Sequence, residues 1–275
     1  MSKSLEKKSS ELQELTFWDH LDVLRFALMR SAIAVFVLAI VAFYFTEFVY
    51  SQVILGPKSP DFITNRLFCE FSKFINVDSL CINQITFKLN NLEMAGQFRN
   101  NLLISIVAGL IVAMPYILTE LWLFVKPALS IKERKGVRGF VVATSSLFLI
   151  GISFGYFIIS PLAINFLANW TLSPDIENTI RLGSYISMVV MIALSTGLVF
   201  QLPVLIYFLA KMGIVSVEFL KIYRKHAIVV FFILSAIITP PDMFSQLLVS
   251  FPLIFLYEIS IKIARRVEKS RVDEL

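Results

Sequence analysis

Hydrophobic residues along the chain fall into six long runs that are separated by short polar connections. Backbone polar groups cannot stay unpaired in lipid, so runs of this kind predict helices or closed barrels. Most of them reach the roughly 20 residues that a helix needs to cross the hydrocarbon core. The pattern therefore predicts an all-α integral membrane protein with six transmembrane helices. The runs are Ala27–Phe48, Asn101–Val125, Gly139–Leu167, Tyr185–Leu209, Ala227–Ile238 and Phe244–Ile261.

The last two runs are short for membrane spans. The fifth has about a dozen strongly apolar residues, which form about 18 Å of helix against a hydrocarbon core of about 30 Å. Two interpretations are open: short helices that thin the bilayer locally, or a re-entrant hairpin. The turn Pro240-Pro241-Asp242 would face the outside in the first case and lie at membrane depth in the second. Lys225 and Lys262 end on the same side in both, so charge does not separate them.

Charge sets the orientation of the predicted spans. Hydrophobic residues make up 57% of the chain and charged residues 16%, whereas soluble domains have about 25% charged residues. Nineteen of the 25 Lys and Arg fall in the two terminal segments and in the second and fourth connections. The positive-inside rule therefore places both termini in the cytoplasm. The net charge of +5 is spread over membrane loops, which favours topology signals over a nucleic-acid partner.

Segments outside the spans carry further patterns. Residues 16–26 predict an amphipathic helix at the cytoplasmic surface that runs into the first span. The connection 49–98 is long and contains several Phe residues, which predicts an ordered cap on the outer face. Its cysteines, Cys69 and Cys81, either form a disulfide in an oxidising compartment or remain two free thiols. The length allows one membrane domain over residues 1–275 and no sizeable soluble domain.

Two spans contain residues that affect helix geometry. Pro115 in the second run predicts a kink. Gly151 and Gly155 in the third run have the spacing of a pair that lets two helices pack closely. Glycines are also frequent in membrane helices by chance, and the spacing alone leaves both explanations open.

The second connection, residues 126–138, contains a single carboxylate among several cations. From Lys126 it reads Lys-Pro-Ala-Leu-Ser-Ile-Lys-Glu-Arg-Lys. One interpretation is a solvated loop in which Glu133 makes a weak local ion pair. The other is a carboxylate that grips an incoming guanidinium at the membrane surface through a charge-assisted, bidentate contact.

Other classes of protein fit less well. An enzyme is the weakest, because the only histidines are His20 and His226 and no metal-spaced cluster, phosphate loop or nucleophile elbow occurs. A small-solute secondary transporter or channel is the alternative function. Such proteins usually carry ionisable residues near mid-membrane and often inverted repeats, whereas the span centres of this sequence are almost free of charge and show no convincing internal repeat. Glu120 and Glu258 lie near the cytoplasmic ends of their spans, where we predict structural or interfacial roles for them.

Four motifs, in order along nearly the whole chain, resemble those of one family. The sequence resembles the TatC family, whose members are the core subunit of the twin-arginine protein translocase. The span number and orientation match as well. The motifs are Phe17–Arg25, Trp122–Arg134, Ser184-Tyr185 with Phe200-Gln201-Leu202-Pro203, and Thr239–Gln246.

The resemblance implies a fold and a function. TatC-like proteins form a glove-shaped, concave bundle of six helices with the last two short, which favours short spans over the hairpin. They lie in the cell inner membrane and bind the twin-arginine signal peptides of folded cargo proteins at the cytoplasmic face. They use the proton-motive force and no cofactor. TatA-like and TatB-like single-span proteins join them in a hetero-oligomeric complex within the lipid bilayer, with several copies of each subunit expected.

The resemblance also implies a signal-peptide site. Glu133 matches the family's loop glutamate, and Phe124 matches an aromatic residue beside it. The full predicted set is Asp19, Leu21, Asp22, Leu24, Arg25, Phe124, Lys132, Glu133 and Arg134.

One position in that site departs from the family. Val23 stands where the family usually has a second acidic residue. Asp22 is adjacent to it but rotated by about 100° on a helix, whereas Asp19 lies one turn earlier and only about 40° away. We therefore predict that Asp19 or Asp22 supplies the missing charge, and that Asp19 is better placed on angle alone.

A second departure is Gln201, where the family commonly has a glutamate inside the membrane concavity. Gln201 either bonds across helices, as polar residues commonly do in bundles, or forms a polar spot that receives a partner helix. Pro240 and Asp242 predict a tight stop between the last two helices, with Asp242 as a helix cap. The predicted polar and partner-contact set is Gln201, Thr239, Pro240, Pro241, Asp242, Ser245 and Gln246.

Overall fold

The computed structural model describes residues 17–75, 81, 87–125, 137–173, 178–239 and 243–272. Five of its helices are long and apolar enough to cross a membrane. They coincide with the first four predicted runs and with the sixth, which confirms a multi-pass α-helical membrane protein. These candidate spans are Leu21–Tyr44, Gly96–Phe124, Gly139–Asn169, Leu182–Lys211 and Ser245–Lys269.

Helices form nearly all of the described structure. Short irregular turns join some of them: π-helical turns at Val49–Ile54 and Gly155–Ile159 and a 3₁₀ turn at Gly56–Lys58. Strands β1 (Leu89–Asn90) and β2 (Ile180–Arg181) pair in parallel, with Leu89 opposite Ile180. The α-helices are α1 Phe17–Tyr44, α2 Thr46–Phe48, α3 Ile63–Ile75, α4 Gly96–Val125, α5 Val137–Phe154, α6 Ser160–Asn169, α7 Leu182–Val199, α8 Leu202–Lys211, α9 Val217–Ile222, α10 Arg224–Ile238 and α11 Met243–Val272.

Helix α1 joins two segments that the sequence analysis described separately. Residues 17–26 of the predicted amphipathic segment form the first turns of a single helix of 28 residues that continues into the first span, and residue 16 lies outside the described residues. Leu21 and Leu28, one heptad apart on this helix, are exposed in the isolated chain. This side of the helix is therefore available to lipid or to a partner.

The last two helices differ from each other in length. Helix α10 has 15 residues, or about 23 Å at 1.5 Å per residue, and is shorter than the five candidate spans. Helix α11 has 30 residues, or about 45 Å, so the prediction that both helices are short is wrong for α11. The helix does not stop where the apolar run ends at Ile261 but continues through charged residues to Val272.

Helix α4 packs along much of α1, and a glycine makes this possible. A Cβ atom added at Gly109 would lie 2.7 Å from the backbone nitrogen of Ala39 and 2.8 Å from the carbonyl oxygen of Val35. These distances are too short for any side chain, so the two backbones touch at this point. Pro115 lies within the same helix, which continues to Val125.

The predicted glycine pair of the third span faces the fourth span. A Cβ atom at Gly151 would lie 2.8 Å from Cβ of Phe200 and 2.9 Å from Cα of Gly197. A Cβ atom at Gly155 would lie 3.0 Å from the carbonyl oxygen of Ile192. The close-packing explanation for this pair is therefore confirmed. Helices α8 and α11 pack against each other next to this seam and share its hydrophobic core.

The long connection 49–98 contains an ordered cap in its described part. Cys69 on α3 forms a disulfide with Cys81, with their Cα atoms 4.1 Å apart, so the two cysteines are not free thiols here. Phe62 stacks on Phe157 of the third span at 5.6 Å between ring centroids. The Tyr185 hydroxyl of α7 donates to the carbonyl oxygen of Ile54 at 2.8 Å. The cap is thus attached to two spans.

Candidate functional site

The candidate site lies at the end of the bundle where α4 ends and α5 begins. Trp122 of α4 is 3% exposed, and its ring lies 4.3 Å from that of Phe140 on α5 and 5.7 Å from that of Phe208 on α8. Tyr207 lies 5.6 Å from Phe140. We call Trp122, Phe140, Tyr207 and Phe208 the aromatic clamp. It holds together the two helix ends from which the Glu133 connection emerges.

The connection itself lies outside the described residues. Its predicted site residues Lys132, Glu133 and Arg134 therefore have no structural account. Phe124 is half-buried on the last turn of α4, two residues after Trp122. The sequence motif included Trp122, but its partners on α5 and α8 were not predicted, because aromatic residues so far apart in the chain give no local signal.

The first turns of α1 present the rest of the predicted site. Asp22 and Arg25 are exposed, Leu21 is exposed and Leu24 is half-buried. Val23 is 40% exposed, so the position of the missing acidic residue is accessible. The side chain of Asp19 lies outside the described set, but its backbone is within α1. The spacing of 100° per residue used in the prediction therefore applies to it.

An ion pair joins α1 to α4 below these turns. Arg30 Nη1 lies 3.5 Å from each carboxylate oxygen of Glu120, and the Tyr116 hydroxyl donates to Glu120 Oε1 at 2.8 Å. The Glu120 side chain is 8% exposed and that of Arg30 is 60% exposed. The carboxylate thus has two partners, which supports the structural role predicted for it. Sequence analysis did not predict its pairing with Arg30.

Glu258, the other carboxylate predicted to be structural, lies on α11 and pairs with an arginine of α10. Its Oε2 lies 2.5 Å from Arg224 Nη2 at the start of α10. Both side chains are partly exposed. The pair links the beginning of α10 to α11. Among the described residues, no three His, Cys, Asp or Glu side chains are grouped so that they could hold a metal ion.

Gln201 lies at the break between α7 and α8. Its Nε2 donates to the carbonyl oxygen of Thr144 on α5 at 3.1 Å, so it bonds across helices. Its Oε1 is buried and has no hydrogen-bond partner within the described chain. An unpaired buried acceptor is uncommon in folded proteins, which leaves one hydrogen-bonding position available at this break.

Polar residues also line the contact between α10 and α11. Thr239 is buried and its hydroxyl donates to the carbonyl oxygen of Ser235 at 2.8 Å. Gln246 Nε2 donates to the carbonyl oxygen of Phe232 at 3.1 Å. Ser245 is 1% exposed. The remaining members of the predicted set, Pro240, Pro241 and Asp242, lie outside the described residues.

Fold and site together define a multi-pass helical membrane protein with a loop-based site at one end of its bundle. Comparison with known proteins narrows this class. Residues 19–252 match the family described as "Sec-independent protein translocase protein (TatC)". The chain belongs to the TatC family of Sec-independent protein translocases. It is a protein-transport component.

Relatives and solved structures agree over nearly the whole length. The TatC protein of Blattabacterium sp. subsp. Periplaneta americana is 37% identical over 264 residues, covering 95% of this chain and 99% of that protein. The TatC protein of Carboxydothermus hydrogenoformans is 35% identical over 260 residues, covering 94% and 96%. A crystal structure of the twin arginine translocase receptor TatC has a TM-score of 0.68 at 30% identity, covering 90% of this chain and 99% of that one.

Proposed function

We propose that this protein is the twin-arginine signal-peptide receptor and the assembly core of the Tat translocase. It acts as a transport component and not as an enzyme, and exports folded proteins by using the proton-motive force. The proposal rests on one observation above all: the accessible first turns of α1 and the aromatic clamp flanking the Glu133 connection belong to the same end of the bundle. The solved structure that this chain resembles is named as a twin arginine translocase receptor.

The orientation follows from charge. We place the protein in the cell inner membrane with both termini in the cytoplasm, so that the clamp and the first turns of α1 face the cytoplasm. Helix α10 then makes the sixth crossing, through a locally thinned bilayer. Cationic connections on this side agree with the positive-inside rule.

Recognition of two adjacent arginines requires carboxylates at the membrane surface. Guanidinium groups bind carboxylates through paired, charge-assisted hydrogen bonds, which lysine does not reproduce. Glu133 supplies one carboxylate. Asp19 or Asp22 supplies the second in place of Val23, and Asp19 is favoured because it lies on the side of α1 that Val23 occupies.

The apolar part of a signal peptide needs an apolar surface beside these charges. Leu21 on α1 and Phe124 at the end of α4 offer it, since the first is exposed and the second half-exposed. Arg25, Lys132 and Arg134 complete the site as the resemblance implies.

TatA-like and TatB-like single-span proteins dock on the membrane-facing surface. The polar contact between α10 and α11, with Thr239 and Gln246, offers hydrogen-bonding groups within an apolar environment. Gln201 offers another at the break between α7 and α8. In lipid such groups favour association with a partner helix that brings a complementary hydrogen-bonding group.

Capture of a signal peptide by the purified protein tests the proposal. A peptide with the twin-arginine pair should co-purify with the full chain, and the same peptide with Lys-Lys should not. Flux of a small solute through the isolated protein, without peptide capture, would instead support the transporter.

Charge reversal tests the two aspartates. Asp19→Lys or Asp22→Lys should impair export of a twin-arginine reporter, and the position with the larger loss identifies the second carboxylate. Asp61→Lys, at an exposed position in the cap, is the matched control and should export normally. Normal export by both aspartate variants would refute the assignment.

A further inference from the structure

The opposite end of the bundle contains a polar cavity of about 300 Å³. It lies between the beginnings of α4 and α7, and its lining includes Arg99, Arg181 and Gly183. No side chain caps the N-terminus of α7. The first backbone N–H groups of a helix have no partner inside the helix and carry the positive end of its dipole. This cavity therefore has the polarity of an anion site.

The ionic side chains of the cavity carry a net positive charge. Arg99 Nη2 lies 2.7 Å from Glu93 Oε2, so that guanidinium is already paired. Arg181, which immediately precedes α7, has no ion pair within the part of the chain that the structure describes. Two guanidinium groups against one carboxylate leave one positive charge at the N-terminus of α7.

A buried amide points to a ligand independently of the helix. Asn100 is 5% exposed, lines the cavity, and makes no side-chain hydrogen bond to any described residue. Its Oδ1 lies only 3.4 Å from the Cβ position of Gly183, which places the amide next to the first turn of α7. The amide of this otherwise buried residue therefore opens onto the cavity, where a group that enters can bond to it.

A second cavity, of about 670 Å³, adjoins the first. Asn100 and Leu182 line both cavities. The walls of the second cavity include the apolar side chains of Phe98, Ile104 and Ile186, and one carboxylate, Glu47, also lines it. A polar, cationic cavity next to a larger and more apolar one suits a molecule with an anionic head and a hydrocarbon tail.

We propose that these two cavities bind an anionic phospholipid of the outer leaflet. Its phosphate lies at the N-terminus of α7, where the guanidinium of Arg181 and the free N–H groups face it. Its acyl chain lies in the second cavity between α4 and α7, and the amide of Asn100 bonds to the ester region between them. The site is distinct from the signal-peptide site, and its assignment to the outer leaflet rests on the orientation proposed above.

Native mass spectrometry of the purified full-length protein in detergent tests the proposal, with phosphatidylglycerol as the probe. Arg181→Gln should lower the bound-lipid population about tenfold, because a charge-assisted hydrogen bond is lost. Arg181→Lys keeps the charge and should retain most of the binding. Arg66→Gln, at an exposed position in the cap outside both cavities, is the control and should bind like the wild type.

Two further arms identify the ligand. Phosphatidylcholine, which has no net charge, should bind more weakly than phosphatidylglycerol, and millimolar inorganic phosphate should not displace bound lipid. If inorganic phosphate displaced the bound phosphatidylglycerol, the cavity would be a site for free anions and the lipid assignment would be overturned. Equal phosphatidylglycerol binding by wild type and Arg181→Gln would also overturn it. Arg181 is exposed, so its substitution tests binding without disturbing the core.

Discussion

Replacing Arg30 by Leu should destabilise the protein because it leaves the buried carboxylate of Glu120 without its cation. The Tyr116 hydroxyl at 2.8 Å would remain as the only hydrogen-bond donor that the described contacts give it. Replacing both residues by Leu removes the stranded charge together with its partner. The double variant should therefore lose less stability than the two single variants added together.

The magnitude follows from the burial of the two partners. Removing one member of a fully buried pair costs about 3–5 kcal/mol, whereas exposed pairs contribute only about 0.2–1 kcal/mol. Here the Glu120 side chain is 8% exposed and that of Arg30 is 60% exposed. We therefore expect Arg30→Leu to cost about 2 kcal/mol, between these limits. The coupling energy in a double-mutant cycle should be about 1–2 kcal/mol.

Denaturant unfolding in detergent micelles, followed by far-UV circular dichroism, measures these energies. The cycle compares the wild type, Arg30→Leu, Glu120→Leu and the double variant. Arg25→Leu removes an exposed arginine from the same helix and is the matched control, with an expected change within about 0.5 kcal/mol. Equal losses in Arg25→Leu and Arg30→Leu, with strictly additive effects in the cycle, would refute the reasoning.

Two other predictions test the packing and the cap. Gly109→Ala should cost about 1–3 kcal/mol of stability, because its Cβ would meet the α1 backbone. Gly139→Ala is the control and should cost nothing, since that Cβ would face open space. Equal unfolding curves for the two variants would contradict the close contact. Replacing Cys69 and Cys81 by Ser should expose the cap to proteolysis, since closing a loop of about this length contributes roughly 3 kcal/mol. If both cysteines of the native, unreduced protein reacted with an alkylating reagent, the disulfide would be absent.

Local pattern predicted the spans but not their contacts. Apolar runs, Pro and the distribution of Lys and Arg are local signals, and they located five spans. The contact of Arg30 with Glu120 joins residues 90 positions apart, and nothing near either residue indicates the other. Gly109 was missed for the same reason, since its role depends on the α1 backbone that faces it.

Helix α11 shows where hydrophobicity alone misleads. The predicted run stopped at Ile261 because charged residues follow it. Charged residues do not end a helix once it leaves the hydrocarbon, and Lys and Arg are good helix formers. Ile261 and Ala264 are buried in the same core cluster as Val217 and Leu220, so packing against α9 supports the continuation to Val272.

Only those residues of the candidate site that belong to a family motif, or lie close to one on the same helix, were predicted. The resemblance to one family supplied Glu133, Phe124 and the α1 signature. Angles on a helix then ranked Asp19 above Asp22 as a replacement for the acidic residue that Val23 displaces. The aromatic clamp could not be predicted, because Phe140 and Phe208 contact Trp122 only when α5 and α8 pack against α4.

Photocrosslinking from a signal peptide tests the central claim most directly. A photoreactive residue placed beside the twin arginines should crosslink to the α1 segment that contains Asp19 and Asp22 and to the connection that contains Glu133. Changing the twin arginines to lysines should abolish both adducts. Adducts confined to the outer cap, or equal adducts from the Arg-Arg and Lys-Lys peptides, would contradict a carboxylate site for the arginine pair at the cytoplasmic end of the bundle.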